Sequence, residues 1–158
     1  METKQANRPT ENTGKTRNLS KLSAESNAAT WFEIPVVDME RAKKFYETVL
    51  DIKWVTQKTE DGMDFMELFP RLPNTIMGRS DVVSGALIKA DRLRPAGDGT
   101  VIYLNANPSI DKAIEGATSA GGRIILPKKK NPAGYVAIII DSEGNKMGLY
   151  AGAQIMRV

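Results

Sequence analysis

Glu33 follows Trp31 by two positions in the run Trp31–Val37 (WFEIPVV), so on an extended strand the carboxylate and the indole share one face. Glu67 stands in the same relation to Phe65 and reads as a solvated charge. These carboxylates matter because the 158 residues contain no histidine and no cysteine. A Ser-His-Asp triad, a thiol nucleophile, a disulfide framework, a zinc ribbon and an iron–sulfur cluster are all excluded. Any metal would need an all-oxygen shell, which suits magnesium or calcium better than zinc, nickel or iron. The chemistry left to the chain is that of carboxylates, lysines, tyrosines, hydroxyls, or binding alone. Lys128-Lys129-Lys130 has the look of an anion or nucleic-acid patch. A three-residue run before Asn131-Pro132, without interleaved aromatics, reads instead as a solvated loop. Gly121-Gly122 and Gly144 are turn glycines, since no GxGxxG pattern follows a strand.

The charge balance points the same way. The chain carries 22 Lys+Arg against 19 Asp+Glu, but residues 1–29 hold five basic and three acidic groups, which leaves 17 against 16 in residues 30–158. A nearly neutral remainder gives a nucleic-acid partner little electrostatic support. No stretch has the length and apolar character of a membrane span or a secretory signal, so the sequence-based expectation is a soluble cytoplasmic protein with no membrane partner. Residues 1–29, rich in Thr, Asn, Ser and Lys, read as a flexible tail with at most a short helix at Leu19–Ser26, and residues 30–158 as one domain.

The elements that must position Glu33 alternate within that domain. Trp31–Val37 reads as a strand, with Pro35 favouring an edge or a bulge. Asp38 can cap a helix from Met39 to Leu50 whose apolar stripe is Met39, Ala42, Phe45, Tyr46, Val49 and Leu50. Strands follow at Lys53–Lys58, Met63–Phe69 across an Asp61-Gly62 turn, and Ser84–Lys89, with Pro70–Val83 as a loop over a site. The order then recurs. Thr100–Ala106 is a strand, Ile110–Ala120 a helix stopped by Gly121-Gly122, and Arg123–Leu126, Tyr135–Ile140 and Lys146–Ala151 are strands, the last two joined by a turn at Asp141–Asn145. Two βαβββ units about 70 residues apart form a tandem repeat, module one at about 30–90 and module two at about 99–151.

The run WFEIPVVDMERAKKFYETVLDIKW, followed by GALIKAD, GTVIYLNANPSIDKAIEGATSAGGRIILPKKK and GYVAIIIDSEGNKMGLYA, resembles the vicinal oxygen chelate superfamily over residues 30–151, most closely its glyoxalase-related subgroup. That superfamily contains glyoxalase I, bleomycin-resistance proteins and extradiol dioxygenases. The resemblance implies an α+β fold of two tandem βαβββ modules forming a curved, cup-shaped mixed sheet with helices on the outer face, assembled as a homodimer. It also implies metal ligands on the first and fourth strands of each module. Those positions fall on Trp31, Ala86, Val101 and Gly148, none of which can bind a metal through its side chain. The expectation is a site with no metal and no cofactor.

If those positions mark the inner face of the cup, Trp31, Glu33, Tyr103, Asn105 and Tyr150 line it, with bulk removed at Ala86 and Gly148. Trp31, Tyr103 and Tyr150 can stack on a planar ligand or fill core, and Asn105 adds a hydrogen-bonding group. Glu33, held dry beside Trp31, should have a raised pKa and could act as a general base, or it could simply reach solvent. Two functions follow. One is a glyoxalase-related protein that binds an aromatic or amphipathic small molecule; the other is a metal-independent glyoxalase-like lyase or isomerase using Glu33. A third possibility is a structural module whose cup is filled by side chains. Loss of every expected ligand removes the Lewis acid of the family chemistry, which favours binding.

Overall fold

In the computed structural model, residues 22, 28–58, 65–70 and 83–152 are described. Their first unit runs β1 (Trp31–Pro35), α1 (Met39–Leu50), β2 (Val55–Lys58), β3 (Phe65–Leu68) and β4 (Ser84–Lys89). The second repeats the pattern as β5 (Ile102–Asn105), α2 (Ile110–Ser119), β6 (Arg123–Asn131), β7 (Gly134–Ile140) and β8 (Lys146–Ala151). Each unit is a four-stranded mixed sheet, ordered β1-β4-β3-β2 and β5-β8-β7-β6. The first strand lies parallel to the fourth, and the remaining pairs are antiparallel. The paired modules expected from the sequence are present as two sheets that do not close into one. β1 lies at a sheet end, as Pro35 foretells, because a residue without an N–H is tolerated there.

Both helices start on the capping chemistry that their sequences offer. The Asp38 carboxylate accepts from the Arg41 N–H at 3.0 Å, and the Ser109 hydroxyl accepts from the Lys112 N–H at 3.3 Å. α1 buries Ala42, Phe45, Tyr46 and Val49 of the stripe read from the sequence, with Met39 and Leu50 half-buried at its ends. It packs against α2, where Gly116 is needed for close approach: a Cβ there would stand 2.7 Å from the Thr48 carbonyl oxygen. Ile34, Val36 and Leu87 of the first unit and Leu104, Ile139, Met147 and Leu149 of the second join both helices in one apolar cluster. Strand alternation then puts the residues between them, Glu33 and Tyr103 among them, on the sheet faces turned away from the helices.

Several expectations need correction. Lys128-Lys129-Lys130 does not lie in a loop; it belongs to β6, which runs five residues beyond Leu126 and keeps its pairing with β7 through two register irregularities. Glu67 is buried rather than solvated, with Lys43 at 3.2 Å and the Thr56 hydroxyl donating at 3.0 Å. Burial works against the Lys43 ammonium, but the hydrogen bond to Glu67 and the negative charges of Glu67, Glu40 and Glu47 together outweigh it and raise its pKa. The expected tail helix, the Asp61-Gly62 turn and residues 71–82 of the expected loop lie outside the described residues.

Candidate functional site

The register settles which of the expected site residues are neighbours. On the first sheet Trp31 pairs with Ser84 and Glu33 with Ala86; on the second Tyr103 pairs with Gly148 and Asn105 with Tyr150. Tyr103, Asn105 and Tyr150 therefore form one continuous patch. Trp31 and Glu33 sit on the other sheet, and among the described residues no hydrogen bond or ring contact joins the two groups.

The patch on the second sheet is built around a missing side chain. The Tyr103 ring lies directly over Gly148, in space that any Cβ at 148 would occupy. The ring is thus held flat against the sheet while Tyr103 stays 49% exposed, which leaves an aromatic face available for stacking. Asn105 is exposed, and its Oδ1 accepts the Asn107 backbone N–H at 3.0 Å, leaving the amide NH₂ without a protein partner among the described residues. Tyr150 is half-buried and donates its hydroxyl to the Ala133 carbonyl at 2.7 Å. Its ring, not its proton, is what remains for a ligand.

On the first sheet Trp31 is half-buried and Glu33 is exposed. The dry surroundings expected to make Glu33 a base are not supplied by its own sheet. The four positions that would carry a metal hold Trp31, Ala86, Val101 and Gly148, and among the described residues no group of three or more acidic side chains could hold an ion. The side chains at those four positions do not fit a divalent metal.

A polar junction escaped the sequence reading. The segment Asp141–Asn145 was expected only to turn the chain, yet Asp141 and Asn145 are buried and tie the second unit to the first. Asp141 accepts from the Tyr46 hydroxyl at 2.6 Å and from the Asn145 side-chain amide at 3.0 Å. The same amide donates to the Pro35 carbonyl at 2.8 Å, at the end of β1. Glu143 accepts from the backbone N–H groups of Val37 and Asp38 at 2.8 and 2.9 Å, and from Arg41 Nε at 2.7 Å. Burial pushes the Glu143 carboxyl up, but the bonds from Arg41, Asp38 and Val37 outweigh it and hold its pKa below the ordinary carboxylate value. Burial, then the adjacent Asp141, pushes the Tyr46 hydroxyl well above the ordinary phenol value. The only signal in the sequence was an unusual density of hydrogen-bonding side chains in one short turn.

Comparison with known proteins agrees with this architecture. Residues 29–50 match the family model for the N-terminal part of bleomycin resistance protein-like proteins. No curated protein matches the chain. Among solved structures, a glyoxalase/bleomycin resistance protein from Albidiferax ferrireducens is 20% identical with a TM-score of 0.52, over 78% of this chain and 98% of that one. TnmS3, an antibiotic binding protein from Streptomyces sp., is 19% identical with a TM-score of 0.50, over 80% and 97%. Glyoxalase I from Zea mays is 17% identical with a TM-score of 0.52, over 77% of this chain but only 45% of its own, so the chain spans less than half of the maize enzyme. At such identities the likeness is one of fold, and the chain has the paired βαβββ fold of the vicinal oxygen chelate superfamily.

Proposed function

We propose that this protein is a cytoplasmic, cofactor-free binding protein of the glyoxalase-related type that holds an aromatic or amphipathic small molecule on its outward sheet faces. The observation that carries the reading is the Tyr103 ring, flat on Gly148 and half exposed, with Asn105 and Tyr150 beside it. A planar group stacked on Tyr103 would gain aromatic contact without moving the protein, and the Asn105 amide would supply a directional hydrogen bond. Trp31 and Glu33 offer a second, smaller set of contacts on the other sheet. Pairing of two copies, face to face, would bring such patches together and shield them from water. Support from fold comes from the antibiotic binding protein and the bleomycin-resistance likenesses described above. The enzymatic alternative, with Glu33 as a general base, has less in its favour because Glu33 is exposed and the metal positions hold no ligand.

A thermal-shift screen of aromatic and amphipathic compounds, bleomycin included, tests the reading on the wild type, Tyr103→Ala and Glu33→Gln. At least one compound should raise the melting temperature of the wild type and fail to do so for Tyr103→Ala. An equal response in wild type and Tyr103→Ala, or no response to any compound, would remove the basis for the proposal. Turnover of a bound compound that is lost in Glu33→Gln would replace it with the enzymatic reading.

A further inference from the structure

Among the described residues, β1 and β5 are both end strands, each paired on one side only. A cleft of about 290 Å³ opens beside them, distinct from the Tyr103 patch. Its floor is apolar: Phe32 and Ile34 from β1, Ile102 from β5 and Met147 from β8, of which Ile34 and Met147 are buried. These residues belong to the helix-facing side of each sheet, whereas Glu33 and Lys146 alternate with them, so the cleft opens across the strand edges at the seam between the modules.

The charged groups around this floor do not cancel. Arg94, in the segment linking the modules, and Lys146, at the start of β8, line the cleft together with Glu33. Among the described residues neither the Arg94 guanidinium nor the Lys146 ammonium has an ion-pair or hydrogen-bond partner. This contrasts with Arg41, Lys43 and Lys128, each of which is paired with a carboxylate. Two unpaired cations against one carboxylate, set over an apolar floor, are complementary to a single negative charge carried on an apolar body. The volume is at the small end for a ligand site and suits a single ring or a short chain, not a molecule of antibiotic size.

We infer that the seam between the two modules is a second binding site, one that takes a small organic carboxylate with its apolar body on Phe32, Ile34, Ile102 and Met147 and its charge on Arg94 and Lys146. The site is independent of the Tyr103 patch, and each can fail without the other. Glu33, at the edge of the cleft, disfavours dianions and offers an acceptor to any hydroxyl or ammonium group on the same ligand.

Titration of the full chain with benzoate, with benzamide as its uncharged isostere, tests the site through the amide resonances of Phe32, Ile34, Ile102 and Met147. Benzoate should shift these signals saturably at millimolar concentration and bind about tenfold more tightly than benzamide, the effect of roughly one charge-assisted hydrogen bond. Arg94→Gln combined with Lys146→Gln should bring benzoate down to the benzamide level, with Arg94→Gln alone giving part of the loss. Lys129→Gln, which removes a cation outside the cleft, should leave the benzoate shifts at these four amides unchanged. Equal binding of benzoate and benzamide, an unaltered response in the double variant, an equal loss in Lys129→Gln, or silence at all four amides would each overturn the assignment.

Discussion

Glu143 shows how one side chain can join two halves of a fold. Its side chain has no solvent exposure, and it neutralises Arg41 while receiving two backbone N–H groups at the β1–α1 junction. Because its pKa is lower in the folded chain than in the unfolded one, it adds stability above the ordinary carboxylate value of about 4.3. That contribution is lost as pH falls through the folded value, since the unfolded chain then gains the proton first. Glu143→Gln should therefore lower stability at neutral pH by about 1–3 kcal/mol, the range for weakening a buried charge-assisted bond. It should also lose less of its stability than the wild type between neutral and acidic pH. Urea midpoints measured across that range check both statements, and parallel acid profiles for the two proteins would contradict the role given to Glu143.

Among the elements, the helix pair tolerates least. Gly116 brings α2 against the backbone of α1 at Thr48 and Val49, and a larger side chain must push the helices apart or distort one of them. Gly116→Val should cost about 1–3 kcal/mol by overpacking, read as a lower urea midpoint, although valine has the better intrinsic helix propensity. This balance marks what the sequence could and could not disclose. The stripe and cap of α1 were legible because they are local, spaced by three and four residues and started by Asp38. The close approach at Gly116 was not, because the atom it must avoid lies on another helix. The lysine run was misread for the same reason: three consecutive cations before Asn131-Pro132 suggest a loop, but pairing with β7 carries the strand through them. Site residues divide likewise. Glu33 and Tyr103 alternate with the buried Ile34 and Leu104, a local relation, whereas the partners of Asp141 and Asn145 at Tyr46 and Pro35 are 95 and 110 residues distant and leave no local trace.

The molecule as a whole is bound by one apolar cluster to which both units contribute. The two modules should therefore unfold together, despite their repeat. Both tryptophans, Trp31 and Trp54, belong to the first unit, so their fluorescence reports that unit alone, while far-UV circular dichroism reports both. Leu149→Ala, at a fully buried position in the second unit, should lower stability by about 2–5 kcal/mol. The fluorescence and dichroism transitions should move down together and remain superimposed. A fluorescence transition that stayed at its wild-type midpoint would show that the units fold separately.

β6 limits how copies of the chain can meet. It closes the outer end of the second sheet, where an unpaired strand edge carrying Ile124, Ile125 and Leu126 would invite other chains to add strands. Pro127 removes a backbone donor, the register irregularities bend the edge, and Lys128, Lys129 and Lys130 place like charges along it. Among the described residues, only Lys128 of the three has its charge answered, by Asp111 at 2.7 Å. Read at this scale, the lysine run is a guard against end-to-end sheet growth. With that edge blunted, any stable contact between copies is steered toward the broad faces of the sheets and away from fibre formation.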